Sequence, residues 1–99
     1  MDITQTAGDG VATVAPSGHL NTATAPELEA ALQALDPMPA ELVIDLSAVD
    51  YVSSAGLRVL LGAKKRMDAA GGTFAVARPC DDVREVFDIT GLADVLEIR

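Results

Sequence analysis

The sequence predicts an α/β fold: a mixed, largely parallel β-sheet with about three helices packed on it. Short apolar runs typical of buried strands alternate with longer segments of helical periodicity, and this alternation implies crossover connections between parallel strands. The chain has 99 residues, enough for one domain with a modest core, so we expect a single domain over residues 1–99. Hydrophobic residues make up 49% but aromatic ones only 3%, so the core must consist mainly of Val, Leu, Ile and Ala.

The first third of the chain is predicted to form a hairpin and a helix. Residues 2–17 form the hairpin around Gly8-Asp9-Gly10, because glycine and aspartate favour a tight turn, and residues 16–18 end it. The helix lies in NTATAPELEAALQAL, with Thr22 or Thr24 as its cap and apolar residues at helical spacing.

The remaining elements complete the order ββαβαβαβ. They are the buried strand ELVIDL, a helix from about Ala55 to Ala70 closed by Gly71-Gly72, the buried strand TFAVA, the short helix CDDVREVFDITG and an edge strand in DVLEI.

The charge and the cysteine content exclude several classes of function. The net charge of −8 argues against nucleic acid, whose binding depends on neutralising phosphates, and against direct membrane binding at an anionic surface. An acidic protein favours a partner with a basic patch. Cys80 is the only cysteine, so neither an internal disulfide nor a cysteine-based zinc site can form. The sequence shows no signal peptide and no apolar segment of about 20 residues, so we expect a cytoplasmic location.

Two adjacent serines, Ser53 and Ser54, lie in VDYVSSAGLRVLL, where a strand gives way to a helix. A serine in that place could cap the helix, and one of the two is expected to do so. It could also be a catalytic nucleophile, but the Gly-x-Ser-x-Gly pattern would need glycine where Val52 stands, and His19 is the only candidate base. A third possibility is a phosphate acceptor, since the free N–H groups and the dipole of a helix N-terminus favour a phosphate.

The helix that follows carries two stripes of residues at about 100° per residue. The stripe expected to face the sheet consists of Leu57, Leu60, Ala63, Met67 and Ala70. The other consists of Ser54, Arg58, Leu61 and Lys65. Beside a candidate switch serine, a hydroxyl, two cations and one exposed leucine indicate a docking surface, although solvated helix faces with a stray leucine are common.

Asp45 and Asp50 are weaker candidates for a functional site. They could form the acidic cluster of a response-regulator receiver, but no lysine follows a late strand. We expect Asp45 to end its strand by accepting hydrogen bonds from loop amides.

The segments IDLSAVDYVSSAGLRVLL, AGGTFAVA and VREVFDITGLADVLEI, with SGHLNTATAPELEAAL before them, resemble the STAS domains of bacterial anti-sigma factor antagonists. The resemblance runs over nearly the whole chain. It implies that Ser54 is the phosphorylation site. Two positions depart from the family pattern, because Ser53 and Asn21 stand where that pattern has aspartate, and both changes remove negative charge from the expected partner surface.

The resemblance also implies a function. The domain would bind an anti-sigma factor that is also a serine-protein kinase, phosphorylation of Ser54 would end the binding, and a serine phosphatase would restore it. Together with the second stripe of the helix, it predicts a partner-binding surface made of Asn21, Ser53, Ser54, Gly56, Arg58, Leu61 and Lys65. We expect a substrate of enzymes that is not itself an enzyme, without catalytic residues, cofactor or metal. The alternative is a STAS interaction subunit of a membrane transporter that is not phosphorylated.

Overall fold

A six-stranded sheet and three α-helices make up the computed structural model, which describes residues 1–99. The strands are β1 (Asp2–Gly8), β2 (Val11–Leu20), β3 (Glu41–Asp45), β4 (Ala48–Val52), β5 (Thr73–Ala77) and β6 (Glu97–Ile98). The helices are α1 (Ala25–Gln33), α2 (Ser54–Ala69) and α3 (Asp81–Thr90), and a 3₁₀ turn spans Leu92–Asp94. The sheet order is β1-β2-β3-β5-β6, with β4 also paired to β2, and only β1 and β2 are antiparallel. The predicted mixed, largely parallel sheet with three helices is confirmed.

The hairpin between β1 and β2 turns through the two residues Asp9 and Gly10. Both have positive φ, 55° and 80°, as a type I′ turn requires, and Asp-Gly is one of the pairs that tolerate this geometry best. The turn matches the predicted one.

The second strand is longer than predicted, because it continues through Pro16 to Leu20. Its pairing with β3 ends at Val14–Ile44, and its pairing with β4 begins at Ser17–Ala48. Pro16 lies between these two ladders, where a missing N–H interrupts neither of them.

A separate strand, β4, was not predicted. It continues the pairing along β2 where β3 leaves it, after a short break at Leu46-Ser47. The Asp45 carboxylate holds this break by accepting a hydrogen bond from the Ser47 amide at 3.0 Å, which confirms the expected role of Asp45. The chain thereby reaches the end of β2 and places its serine junction there.

The core is aliphatic, as the composition requires. Phe74 and Phe87 are its only aromatic members, and α2 supplies one buried stripe that includes Leu57, Leu60 and Met67. Ala70 is exposed, and the expectation that it faces the sheet is wrong, because it is the C-cap residue where the helix ends. No helix of the structure has the length and apolarity needed to cross a membrane.

The last segment forms less strand than predicted. The 3₁₀ turn takes up Asp94, and only Glu97 and Ile98 pair with β5.

Candidate functional site

The serine junction lies at the end of the sheet where β2 and β4 finish and α2 begins. Ser53 has an extended backbone (φ −90°, ψ 174°), and its amide donates a hydrogen bond to the Leu20 carbonyl at 2.8 Å. Its carbonyl accepts the first hydrogen bond of the helix, from the Leu57 amide at 2.9 Å. Its hydroxyl oxygen accepts a longer one from the Gly56 amide at 3.4 Å. Ser53 is therefore the N-cap of α2.

Ser54 is the first residue of α2, and it is exposed. Its hydroxyl makes no hydrogen bond to the protein, whereas the Ser53 hydroxyl has the capping role. Ser53, and not Ser54, therefore caps the helix, and the free hydroxyl belongs to the residue at the candidate acceptor position.

Gly56 is buried, in contrast to the serines before it. A Cβ atom at this position would lie 2.7 Å from Leu20 Cγ and 3.0 Å from the Leu20 carbonyl oxygen. The expectation that Gly56 offers surface to a partner is therefore wrong. Its absent side chain instead lets the first turn of α2 pack tightly against the end of β2.

The stripe predicted as a docking surface is only partly exposed. Arg58 and Lys65 are exposed and form no ion pair, while Leu61 is half-buried. The expectation of an exposed Leu61 is wrong, since part of this side chain is covered by its neighbours. By contrast, Lys64 on the same helix pairs with Asp68 one turn later at 2.7 Å.

Asn21 is half-buried and organises the turn that leads into α1. Its side-chain oxygen accepts hydrogen bonds from the amides of Ala23 and Thr24, at 3.0 and 3.1 Å. The Thr24 hydroxyl donates to the His19 carbonyl at 2.6 Å. Thr24 occupies the N-cap position of α1 without capping it through its side chain. Asn21 therefore shapes the loop beside the junction.

An exposed cluster of His19, Asp50 and Tyr51 lies at the same end of the sheet. His19 Nδ1 and Asp50 Oδ1 are 2.6 Å apart, and the rings of His19 and Tyr51 meet edge to face with centroids 6.2 Å apart. Tyr51 remains 51% exposed. The parallel pairing of β2 with β4 brings these residues together, and His19 lies directly opposite Tyr51. Sequence reasoning missed this cluster because its members lie about 31 positions apart and β4 was not predicted.

The histidine-aspartate pair does not form a triad with a serine. No hydrogen bond joins the imidazole to Ser53 or Ser54, so neither hydroxyl has a base in place to activate it. The geometry is that of an exposed surface and not of an activated nucleophile.

Asp45 and Arg78 form an ion pair at the ends of β3 and β5. Burial raises the pKa of Asp45, but hydrogen bonds from Arg78 and Ser47 and the charge of Arg78 outweigh it, so the pKa lies below its usual value. This carboxylate is committed to holding the β3–β4 break and has no free role.

The largest cavity of the molecule, about 440 Å³, does not include the serine junction. It is an open groove between the β1–β2 turn and the segment from Ala34 to Ala40. Ser54 therefore lies outside both cavities of the molecule, with its hydroxyl exposed and unbonded.

A six-stranded sheet with three helices and an exposed serine at the start of the second helix defines a small α/β domain. The STAS domain family matches residues 2–99, and the chain belongs to this family, among its anti-sigma factor antagonists.

Named relatives cover nearly the whole chain. It is 36% identical over 99 residues to BtrV of Bordetella bronchiseptica, to which a role as anti-sigma factor antagonist is ascribed; the match covers 99% of this chain and 85% of that protein. It is 33% identical to the anti-sigma-B factor antagonist of Bacillus subtilis, covering 99% of this chain and 88% of that one. A crystal structure of an anti-sigma factor antagonist from Mycobacterium paratuberculosis superposes with a TM-score of 0.87 at 34% identity, covering 98% and 83% of the two chains.

Proposed function

We propose that this protein, in its unphosphorylated form, binds an anti-sigma factor that is also a serine kinase and so frees a sigma factor. In the switching step, the kinase transfers the γ-phosphoryl group of ATP to Ser54 Oγ; the hydroxyl proton is lost and ADP is released. A phosphatase reverses the step with water, giving back the hydroxyl and inorganic phosphate. The names of the relatives support the antagonist role.

The observation that carries the proposal is that one serine caps the helix while the other keeps a free hydroxyl. Ser53 caps α2, so modifying Ser54 removes no hydrogen bond that holds the fold. The Ser54 hydroxyl is exposed and unbonded. The hydroxyl of Thr90, a second candidate acceptor, already donates to the Val86 carbonyl at 2.7 Å. A kinase would therefore find Ser54 accessible without unfolding the domain.

The electrostatics of the site suit a switch. A phosphoserine carries about −1.5 to −2 charges at neutral pH, and a helix N-terminus tolerates an anion through its free N–H groups and its dipole. The fold would survive while the surface changes from a small neutral hydroxyl to a hydrated dianion. A partner that fits the hydroxyl would lose affinity, because the phosphate must be desolvated at the interface.

The proposed contact surface consists of Ser54 and the members of the predicted set that reach solvent. Arg58 and Lys65 are exposed, and Asn21, Ser53 and Leu61 are half-buried. We add Tyr51, because exposed tyrosines beside polar groups are frequent energetic anchors of protein interfaces. Gly56 supports this surface from within.

Phosphorylation with the purified cognate kinase and ATP tests the proposal. Peptide mapping should find one phosphate, on Ser54. Ser54→Ala should abolish it, and the matched control Ser53→Ala should still be modified, because the cap is not the acceptor. A phosphate mapped to Ser53 or Thr90, or full modification of the Ser54→Ala variant, would overturn the assignment. The transporter-subunit alternative predicts no phosphorylation in any variant.

A further inference from the structure

Arg58 lies one helical turn after Ser54 and has no ionic partner. Both residues are exposed on α2, four positions apart, and no carboxylate lies within 4.0 Å of the Arg58 guanidinium. Residues four apart on a helix are neighbours on its surface, about 6 Å along the axis. This guanidinium is therefore a free cation beside the candidate acceptor.

The direction of the side chains favours contact between these two positions. Side chains of an α-helix lean toward its N-terminus, so a long side chain at position 58 can reach the first turn. An acid placed N-terminal to a base at this spacing is the better of the two orientations. On the same helix, Lys64 and Asp68 close a four-residue spacing at 2.7 Å, although with the base first. The backbone of α2 thus permits such pairs.

We propose that Arg58 is an internal clamp for the phosphate on Ser54: the guanidinium binds the phosphate oxygens and is thereby withdrawn from the partner. This inference rests on the proposed modification of Ser54 and goes beyond it, because it names what the phosphate does within the domain. Phosphorylation would then change two features at once, since it adds a dianion and neutralises an exposed cation of the contact surface.

The other charged groups near this end of the sheet do not replace Arg58. Asp50, on β4, is paired with His19, on β2, and Lys65 lies almost two turns further along α2. His19 would supply a second cation only when protonated, and it already faces a carboxylate. Arg58 is the unpaired permanent cation within one helical turn of Ser54.

The test uses protein in which phosphoserine is incorporated at position 54 during translation, so that it needs no kinase. The second pKa of the phosphate is measured by ³¹P NMR in the otherwise unchanged chain, in Arg58→Gln and in the matched control Lys65→Gln, which removes a cation of the same stripe out of reach. A neighbouring guanidinium favours the dianion and lowers this pKa. All three proteins keep His19, so its contribution is the same in each of them.

Arg58→Gln should raise the pKa of the phosphate by about 0.2–0.4 units, roughly a twofold change in the acid dissociation constant, as expected for an ion pair at this spacing. Lys65→Gln should change it by less than about 0.1 unit, and Arg58→Lys should recover part of the effect. Equal values in Arg58→Gln and the parent, or equal shifts in Arg58→Gln and Lys65→Gln, would overturn the clamp. If a kinase fails to modify Ser54, the proposed function fails but this result is unaffected.

Discussion

Substituting Gly56 by alanine should destabilise the protein although alanine is the better helix former. The added Cβ would lie 2.7 Å from Leu20 Cγ and 3.0 Å from the Leu20 carbonyl oxygen. Leu20 is fully buried, and its carbonyl already accepts the hydrogen bond from the Ser53 amide, so neither atom can move freely. The start of α2 must therefore shift away from β2.

The magnitude follows from two opposing effects. Overpacking a well-packed core costs about 1–3 kcal/mol. Replacing glycine by alanine inside a helix stabilises the protein by about 1 kcal/mol. The net loss should be up to about 2 kcal/mol, which in a domain of this size lowers the thermal midpoint by up to about 15 °C.

Gly62→Ala on the same helix is the matched control. A Cβ at Gly62 meets no atom within 4 Å, so this variant should gain up to about 1 kcal/mol from helix propensity alone. Urea denaturation followed by circular dichroism measures both variants, and the difference between them isolates the steric cost at Gly56. Equal stability of the two variants would refute the close packing of α2 against β2.

Three further predictions concern stability. Ser53→Ala should lower the stability by about 0.5–1 kcal/mol through loss of the cap, while Ser54→Ala should be nearly neutral. Calorimetric midpoints compare the two variants, and a larger loss of stability for Ser54→Ala would reverse the assignment of the cap. Leu60→Ala should cost about 2–5 kcal/mol and half-buried Leu61→Ala about 1 kcal/mol in urea denaturation; equal losses would mean that Leu61 is a core residue. Because the pKa of Asp45 is lowered in the fold, its stabilising effect should be complete above about pH 4 and lost as the pH falls through the folded pKa. Asp45→Asn should therefore be less stable at pH 7 but lose less stability on acidification, and an identical pH profile would contradict the ion pair.

Local signals in the sequence were sufficient for most of the fold. The Asp9-Gly10 turn and the apolar period of α2 each depend on neighbouring residues only, and both match the structure except at Ala70, where the helix ends. The acceptor position is also local, because a strand followed by a helix leaves the N-cap and the first helical residue at the junction. The assignment of the helix cap to Ser53 and not to Ser54 depends on the backbone geometry, which the sequence does not show.

The features that the sequence did not predict depend on contacts between distant segments. Strand β4 is short and separated from β3 by a break, and it is stabilised by pairing with β2. The ion pair of His19 with Asp50 follows from that same pairing. The helical period could not show how much of Leu61 is covered, because it gives the direction of a side chain but not what lies beside it. Gly56 was assigned to the partner surface through the resemblance, and its contact with Leu20 joins two residues that are distant along the chain.

The central claim is that the state of Ser54 controls partner binding, and titration calorimetry of Ser54→Ala and Ser54→Asp against the purified anti-sigma factor kinase tests it most directly. Ser54→Ala keeps a small neutral surface and should bind like the unmodified protein. Ser54→Asp brings one negative charge and should bind more weakly than Ser54→Ala. Its loss of affinity should be smaller than that of the phosphorylated protein, which carries more charge. Equal affinities of the two variants would mean that Ser54 is no switch, and the account of this surface would be contradicted.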